Sequence, residues 1–315
     1  MAASVRLNPK HFFSPEEWAR LSAHSSWKGL ALVAHAWGVI GLAAAMGMLW
    51  PVTIPLAVMI IGGRQLGLAI LMHDASHGAL HKDLKINDWA AKTFCGGGLD
   101  AYRPYHLKHH KFAQQAEDPD LGLSAPFPIT RTSLRRKIIR DLTGQTYFKA
   151  RTAALNRRLK VFRKGDPVWP IIASEFQRQR GLILGAVVFT AAGAPFGYWW
   201  AWWALWLLPK ATWHPMITRL RNIAEHACIA KDEPDPMRQA RTTRASLVER
   251  ALIAPYWVNY HCEHHMFMHL PCYSLPLAHR MLRAKGVTER MEVRDGYWSV
   301  IRLASSKPEP AMAAA

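Results

Sequence analysis

Between Gly29 and Gly63 the chain carries no Asp, Glu, Lys or Arg, and the apolar run continues past Arg64 to Met72. A helix rises about 1.5 Å per residue and a bilayer core is about 30 Å thick, so this stretch is long enough for two spans. Proline cannot continue a helix, and Trp50-Pro51 therefore marks a turn. The reading is a transmembrane hairpin over residues 29–72. Its turn has no basic residue, whereas Lys28 lies just before it and Lys82 and Lys85 just after, so both ends face the cytoplasm. Arg64 is costly inside a span unless it meets a partner, and a helix–helix ion pair is the expectation for it.

A second charge-free run extends from Gly181 to Pro209. Its 29 residues are short for two full crossings, so a hairpin there must borrow flanking residues, giving a second hairpin over 171–217. Trp199, Trp200, Trp202, Trp203 and Trp206 follow its turn, as an interfacial aromatic belt or as the lining of a pocket for a long apolar chain. The remaining segments read as cytosolic: 1–27 before the first hairpin, 73–170 between the hairpins and 218–303 after the second. Residues 304–315, ASSKPEPAMAAA, read as a disordered tail. Ser14 with Glu17, and Ser246 with Glu249, form capping boxes that start helices. Trp18 and Leu21 give the first of these an apolar edge suited to the membrane interface. Residues 87–99 are too short to cross and read as an interfacial or re-entrant segment. The acidic residues near the N-terminus and the lack of a short apolar core argue against a cleavable signal peptide.

The net charge is +18, and Arg131 to Arg180 alone holds fourteen Lys or Arg against three acidic residues. This fits the positive-inside rule with attraction to anionic lipid, or a dock for an acidic electron-transfer protein or substrate phosphates. No nucleic-acid-binding motif accompanies it, so no nucleic-acid partner is expected. Cys95, Cys228, Cys262 and Cys272 show no paired spacing and no disulfide framework, as in a reduced, cytoplasm-facing region.

The histidines carry the chemistry. His261, His264 and His265 in HCEHH stand at i, i+3 and i+4, one face of a helix, and His106, His109 and His110 in HLKHH repeat the spacing. His73 and His77 in HDASH stand at i, i+4, as do Asn222 and His226 in NIAEH. Nine of the sixteen histidines thus fall into four short clusters. Imidazole nitrogen is a transition-metal ligand, and nine exceed what one ion of four to six ligands can use, so two metals are expected. With two spans between HLKHH and NIAEH all four clusters reach one side of the bilayer; a single span would separate them. His81 and His269 lie close enough in sequence to orient the ligands. His11, His24, His35, His214 and His279 lack the pattern and are assigned structural or solvated roles.

In order and setting, HDASH, HLKHH and HCEHH resemble the three histidine boxes of the integral-membrane fatty acid desaturase and hydroxylase superfamily, over roughly Arg64 to Leu282, with the EDPDL of Glu117 to Leu121 after the second box. The resemblance implies an all-α integral membrane protein: about four transmembrane helices in two hairpins, with a cytosolic helical cap holding a di-metal site. The whole of 1–315 is then a single desaturase-like membrane domain, with active site and both termini on the cytoplasmic side. It implies two Fe ions in a non-haem di-iron centre, O2 as co-substrate, and metal ligation by His73, His77, His106, His109, His110, His226, His261, His264 and His265. Asn222 matches an additional Asn that acts through water. No catalytic residue beyond the metal ligands is expected.

The implied substrate is a membrane lipid or acyl chain. No HPGG haem motif is present, so a separate electron donor of the ferredoxin, rubredoxin or cytochrome b5 type is implied. The overall box arrangement favours a lipid desaturase, with a lipid or carotenoid hydroxylase or ketolase as the alternative. A metal-transporting or metal-storing protein is the non-enzymatic alternative, and mid-span ligands would mark a transporter; His35 is the only histidine well inside a span.

Overall fold

The computed structural model describes residues 7–96, 98–160 and 167–309. They are mostly helical and form two compact units, one of Met1–Gly38, Gly63–Arg135 and Ile217–Ala315, the other of Val39–Gly62 and Arg136–Met216.

Helix α1, Pro15–Ser22, begins at the expected capping box: Ser14 accepts from the Glu17 N–H and the Glu17 carboxylate accepts from the Ser14 N–H. Its apolar edge packs against other parts of the protein. Leu21 is fully buried, and the half-buried Trp18 stacks on Phe13 and meets Phe267 edge-on at 5.6 Å.

Helices α2, Lys28–Leu49, and α3, Ile54–Ser76, form the expected apolar pair, broken by a single 3-10 turn at Pro51–Thr53. A Cβ on Gly29 would come within 1.9 Å of the Leu80 carbonyl oxygen, so only glycine permits this approach at the start of α2. Among the described residues Arg64 has no recorded ion pair with a carboxylate. Its Nη2 donates to the Ala251 carbonyl at 2.7 Å and its guanidinium lies 5.4 Å from the Tyr256 ring centroid. Tyr256 and Trp257 both hold positive φ, 52° and 58°, a strained geometry for aromatic residues. The Tyr256 hydroxyl donates to the Leu32 carbonyl and lies 3.0 Å from His35 Nδ1, and Gly67 leaves room for the ring. These contacts fix the chain just before the HCEHH cluster.

Helix α4, Leu84–Phe94, is capped by Asp83 and exposes Leu84, Ile86, Trp89 and Phe94, an apolar face suited to an interface. Helix α5, Leu99–Lys111, follows, then the short α6, Leu121–Ser124. The basic block forms α7, Arg131–Leu142, and α8, Gln145–Leu159, before α9, Trp169–Gly193.

The second apolar region differs from the first. After α9 the chain turns through Ala194–Phe196 with Gly197 at φ 78°, then returns through a π-helical stretch, Trp203–Leu207, and the short α10, Leu208–Ala211. Helix α11, Trp213–His226, begins after a break at Thr212. Pro209 and Pro215 lack the N–H that an unbroken helix requires, which accounts for the interruption. Among the described residues three helices are long and apolar enough to cross a membrane, at Lys28–Leu49, Pro51–Ser76 and Gln179–Phe196.

The C-terminal part contains β1, Arg241–Arg244, then α12, Leu247–Leu252, with its capping box at Ser246, α13, His261–Met266, and α14, Leu275–Ala284. Strand β2, Glu292–Asp295, and α15, Gly296–Ala304, complete it. The strands pair in parallel with Arg241 opposite Glu292, a small sheet that the all-helical expectation lacked. Their buried Thr242 and Thr243 favour extended backbone. Of the stretch expected to be a disordered tail, residues 310–315 lie outside the described residues. The part before them is tied to 129–132: Ile129 N donates to Ala304 O, and Lys307 N to Ile129 O.

Candidate metal centre

All nine clustered histidines converge in one unit of the fold. His73 sits on the last turn of α3 with His77 just beyond it; α5 supplies His106, His109 and His110; α11 supplies His226; α13 supplies His261, His264 and His265. They divide into two groups, His73, His77, His106, His110 and His264 in the first, and His109, His226, His261 and His265 in the second. Within each group the candidate ligand atoms all lie within 4.8 Å of one another.

The division follows helix geometry. Residues i and i+4 project about 40° apart around a helix, and i+3 stands about 100° from i+4. His106 and His110 therefore share the first group and His109 leaves it; on α13 His261 and His265 share the second group and His264 crosses to the first. Each HxxHH triplet serves both groups.

The chemistry of these nitrogens fits bound cations. Both ring nitrogens of His73 and of His77 are buried without a hydrogen-bond partner, a cost that an ion bound at one nitrogen of each ring would reduce. Elsewhere Nε2 atoms face one another: His110 to His106 at 2.9 Å, His264 to His110 at 3.0 Å, His226 to His261 at 2.9 Å and His265 to His261 at 3.2 Å. Burial, followed by repulsion among neighbouring rings, holds His106, His110, His261, His264 and His265 well below the usual imidazole range, and burial lowers His77 to about 3. His226 is lowered in the same way. Neutral imidazoles with lone pairs turned inward are the protonation state that ligates a metal.

A folded pKa below the unfolded value of about 6.5 means that unfolding takes up a proton at any pH between the two. Stability is therefore present above about pH 6.5 and declines on acidification, by up to about 1.4 kcal/mol per pH unit for each such ring. Dialysis at stepwise lower pH is expected to release metal and lower the thermal midpoint from about pH 6.5 downward, and a flat profile to pH 4 would contradict this.

Groups behind the ligands orient them. His109 Nδ1 lies 2.8 Å from Asp118 Oδ1, leaving Nε2 to face inward. Asp118 is fixed in turn by the backbone N–H groups of Gln114 and Asp120. On α13, Glu263 is fully buried, bonded to His279 Nδ1 at 2.5 Å and to the Thr242 hydroxyl. Asp118→Asn retains the shape and loses the charge behind His109; a fall of about 10- to 100-fold in metal affinity is expected, measured by competition with a chelator. His81 Nδ1 accepts from the Asp83 N–H, His24 Nε2 lies 2.9 Å from the His269 carbonyl, and the His269 ring is near enough to His77 to disfavour its charged form. His279, assigned a structural role from sequence, is the histidine that backs α13.

Beside the second group lies a cavity of about 50 Å³, lined by Tyr102, Asp120, Arg221, Asn222, Glu225 and His226 among others. It has room for a few waters. Asn222 faces it one turn before His226, a placement compatible with action through water. Tyr102 stacks on His106 with ring centroids 5.2 Å apart. Glu225 is buried, pairs with Arg221 at 2.5 Å, and burial, opposed by Arg221, raises its carboxyl to about 7. Sequence reading passed over Arg221 and Glu225, although their i, i+4 spacing in RNIAEH was the available signal.

Three apolar helices of membrane-crossing length and two groups of neutral imidazoles that could each hold a metal ion are the features of a membrane protein with a candidate metal site. The fatty acid desaturase family model matches residues 48–296, and the chain belongs to that family. It is also 25% identical over 240 residues, 72% of this chain and 67% of the relative, to dihydrorhizobitoxine desaturase of Bradyrhizobium elkanii. The protein is thus an oxidoreductase of the desaturase or hydroxylase type.

Proposed function

We propose that the protein is an O2-dependent membrane lipid desaturase that introduces a C=C bond into a long acyl chain. The observation that carries this reading is the convergence of nine inward-facing imidazoles, most of them buried, into two separate groups. The first group would hold one iron through His73, His77, His106, His110 and His264, and the second another through His109, His226, His261 and His265, with Asn222 acting through water. When bound, iron in such a neutral nitrogen field supplies the oxidising power that an unactivated alkyl C–H bond demands. The relative named as a desaturase supports desaturation over oxygen insertion.

In the overall reaction one O2 accepts two hydrogens from adjacent carbons, two electrons from a separate donor protein and two protons, and leaves as two waters. The chain's own residues fix the geometry. Asp118 and the Glu263–His279 pair hold the rings in place, and the buried setting keeps bulk water from the reacting carbons. In the proposed topology the interrupted return through Trp203–Leu207 and α10 is a fourth span. All four histidine-bearing segments then lie in a cytosolic helical cap, with both termini on that side. One desaturase-like membrane domain over 1–315 follows, with 1–27, 73–170 and 218–303 cytosolic and 29–72 and 171–217 as hairpins.

The test is lipid mass spectrometry of cells expressing the wild type beside His264→Ala, under air. A product lighter by two hydrogens in the wild type alone supports the reading. A product heavier by one oxygen atom makes the protein a hydroxylase, and identical lipids in both cells refute lipid oxidation.

A further inference from the structure

We infer that Tyr102 and Tyr105 form an escape path for oxidising equivalents between the His106 ring and the protein surface. When O2 is activated with no acyl chain at the site, Tyr105 is oxidised in place of a ligand histidine. The inference rests on the proposed di-iron reading and assigns a role to two residues that the histidine boxes do not contain.

Tyr102, Tyr105 and His106 stand at i, i+3 and i+4 on one face of α5. Tyr102 stacks on His106 almost in parallel, with an interplanar angle of 8° and ring centroids 5.2 Å apart, and the Tyr105 centroid lies 6.5 Å from that of Tyr102. Among the described residues Tyr102 is the only aromatic side chain other than histidine with a recorded ring contact to any of the nine clustered histidines. Each step outward from the ligand ring is therefore between neighbouring π-systems. Tyr105 ends the path at the surface, where it is exposed, and Tyr102 lines the cavity beside the second histidine group.

The chemistry of the outer phenol completes the path. A phenol gives up an electron readily only where its proton can leave with it, and Tyr105 has an acceptor in place, since its hydroxyl donates to Asp120 Oδ1. The Asp120 N–H donates in turn to Asp118 Oδ1, the oxygen that backs His109, which fixes the acceptor. In the step, one electron passes from Tyr105 through Tyr102 and the His106 ring to the O2-derived oxidant of the centre, which is reduced by one electron. The phenolic O–H bond breaks, its proton moves to Asp120, and a neutral phenoxyl radical is left. One electron from the separate donor protein and the proton held by Asp120 restore the phenol. An oxidant strong enough for an unactivated C–H bond also attacks imidazole, and a phenol is easier to oxidise than either.

The experiment loads the purified full chain with iron, reduces it chemically without lipid, mixes it with O2 and freezes samples for electron paramagnetic resonance. Peptide mass spectrometry then maps the oxidised side chains. The wild type is expected to show a tyrosyl radical whose hyperfine splitting collapses when the chain carries ring-deuterated tyrosine. In Tyr105→Phe, which keeps the ring and removes the hydroxyl, iron content is expected to be unchanged, the radical lost, and oxygen added to histidines of the first group. Should Tyr105→Phe not yield folded protein, Tyr102→Phe is expected to lower the radical yield and raise histidine oxidation. A wild type that holds two irons and consumes O2 without a tyrosyl radical would overturn the inference and leave the di-iron reading standing, as would a radical and histidine oxidation unchanged in the variants. A wild type that takes up fewer than two irons would overturn the di-iron reading, and this inference with it.

Discussion

His264→Ala is expected to reduce turnover to background and to leave about one iron per chain. His264 is the sole member of its triplet in the first group, where its Nε2 lies 3.0 Å from that of His110 and its ring 4.3 Å from that of His73. Removing it opens the group on the side of α13 while the second group keeps all four rings. Enzymes accelerate their reactions by about 10⁶-fold or more, and an oxidation that depends on the metal loses that whole factor with it. The checks are product formation in membranes and iron per purified chain, with the exposed His11→Ala as the matched control. Full turnover in His264→Ala would remove His264 from the proposed ligand set.

Arg241→Met is expected to be the most destabilising single change away from the histidines. Arg241 is fully buried. It donates to the carbonyls of Ala224 and Ala227 at the end of α11, at 3.2 and 2.9 Å, and pairs with Glu292 at 3.1 Å across the strand pair. Its loss leaves two helix-end carbonyls without their partner and Glu292 with Arg294 alone, a defect that costs about 3–5 kcal/mol. By the scaling for proteins of this size the thermal midpoint falls by roughly 10 °C. The same helix carries Asn222, Glu225 and His226, so faster metal loss from the second group accompanies the fall. A midpoint within a degree or two of the wild type would show that Arg241 does not hold α11.

The histidine clusters were legible because their spacing is local: an i, i+3, i+4 pattern states which ring nitrogens share a helix face before any tertiary contact forms. Which rings share a metal was not legible. His109 and His264 each leave their triplet for the other group, and that exchange depends on how α5 and α13 meet α3 and α11 in space. The first apolar hairpin was readable from Gly29 to Met72 because it lacks charge and breaks at one proline. The second was blurred by its brevity and by Pro209 and Pro215, which interrupt the return.

Elsewhere, residue type misled or said too little. The apolar edge of Trp18 and Leu21 is equally suited to lipid or to Phe13 and Phe267, and the protein supplies the latter. Arg64 called for a partner, and a carbonyl and an aromatic ring answered in place of a carboxylate. His81 and His269 stand out by nearness in sequence, and His269 acts on His77; His279, fourteen positions beyond His265, has no such nearness and reaches the back of α13 through Glu263. The RTTR and EVRD strands carry no long alternating pattern, so a four-residue parallel pair between distant segments left no sequence signal.

The central claim is that two separate groups of neutral histidines each hold one iron. Metal analysis of the purified wild-type chain, normalised to protein by amino-acid analysis, tests it most directly. The account predicts two irons per chain, with His264→Ala and His226→Ala each losing about one and losing it from different Mössbauer signals. A wild type that holds one iron or none after iron loading, or two that both variants lose together from a single signal, would contradict it.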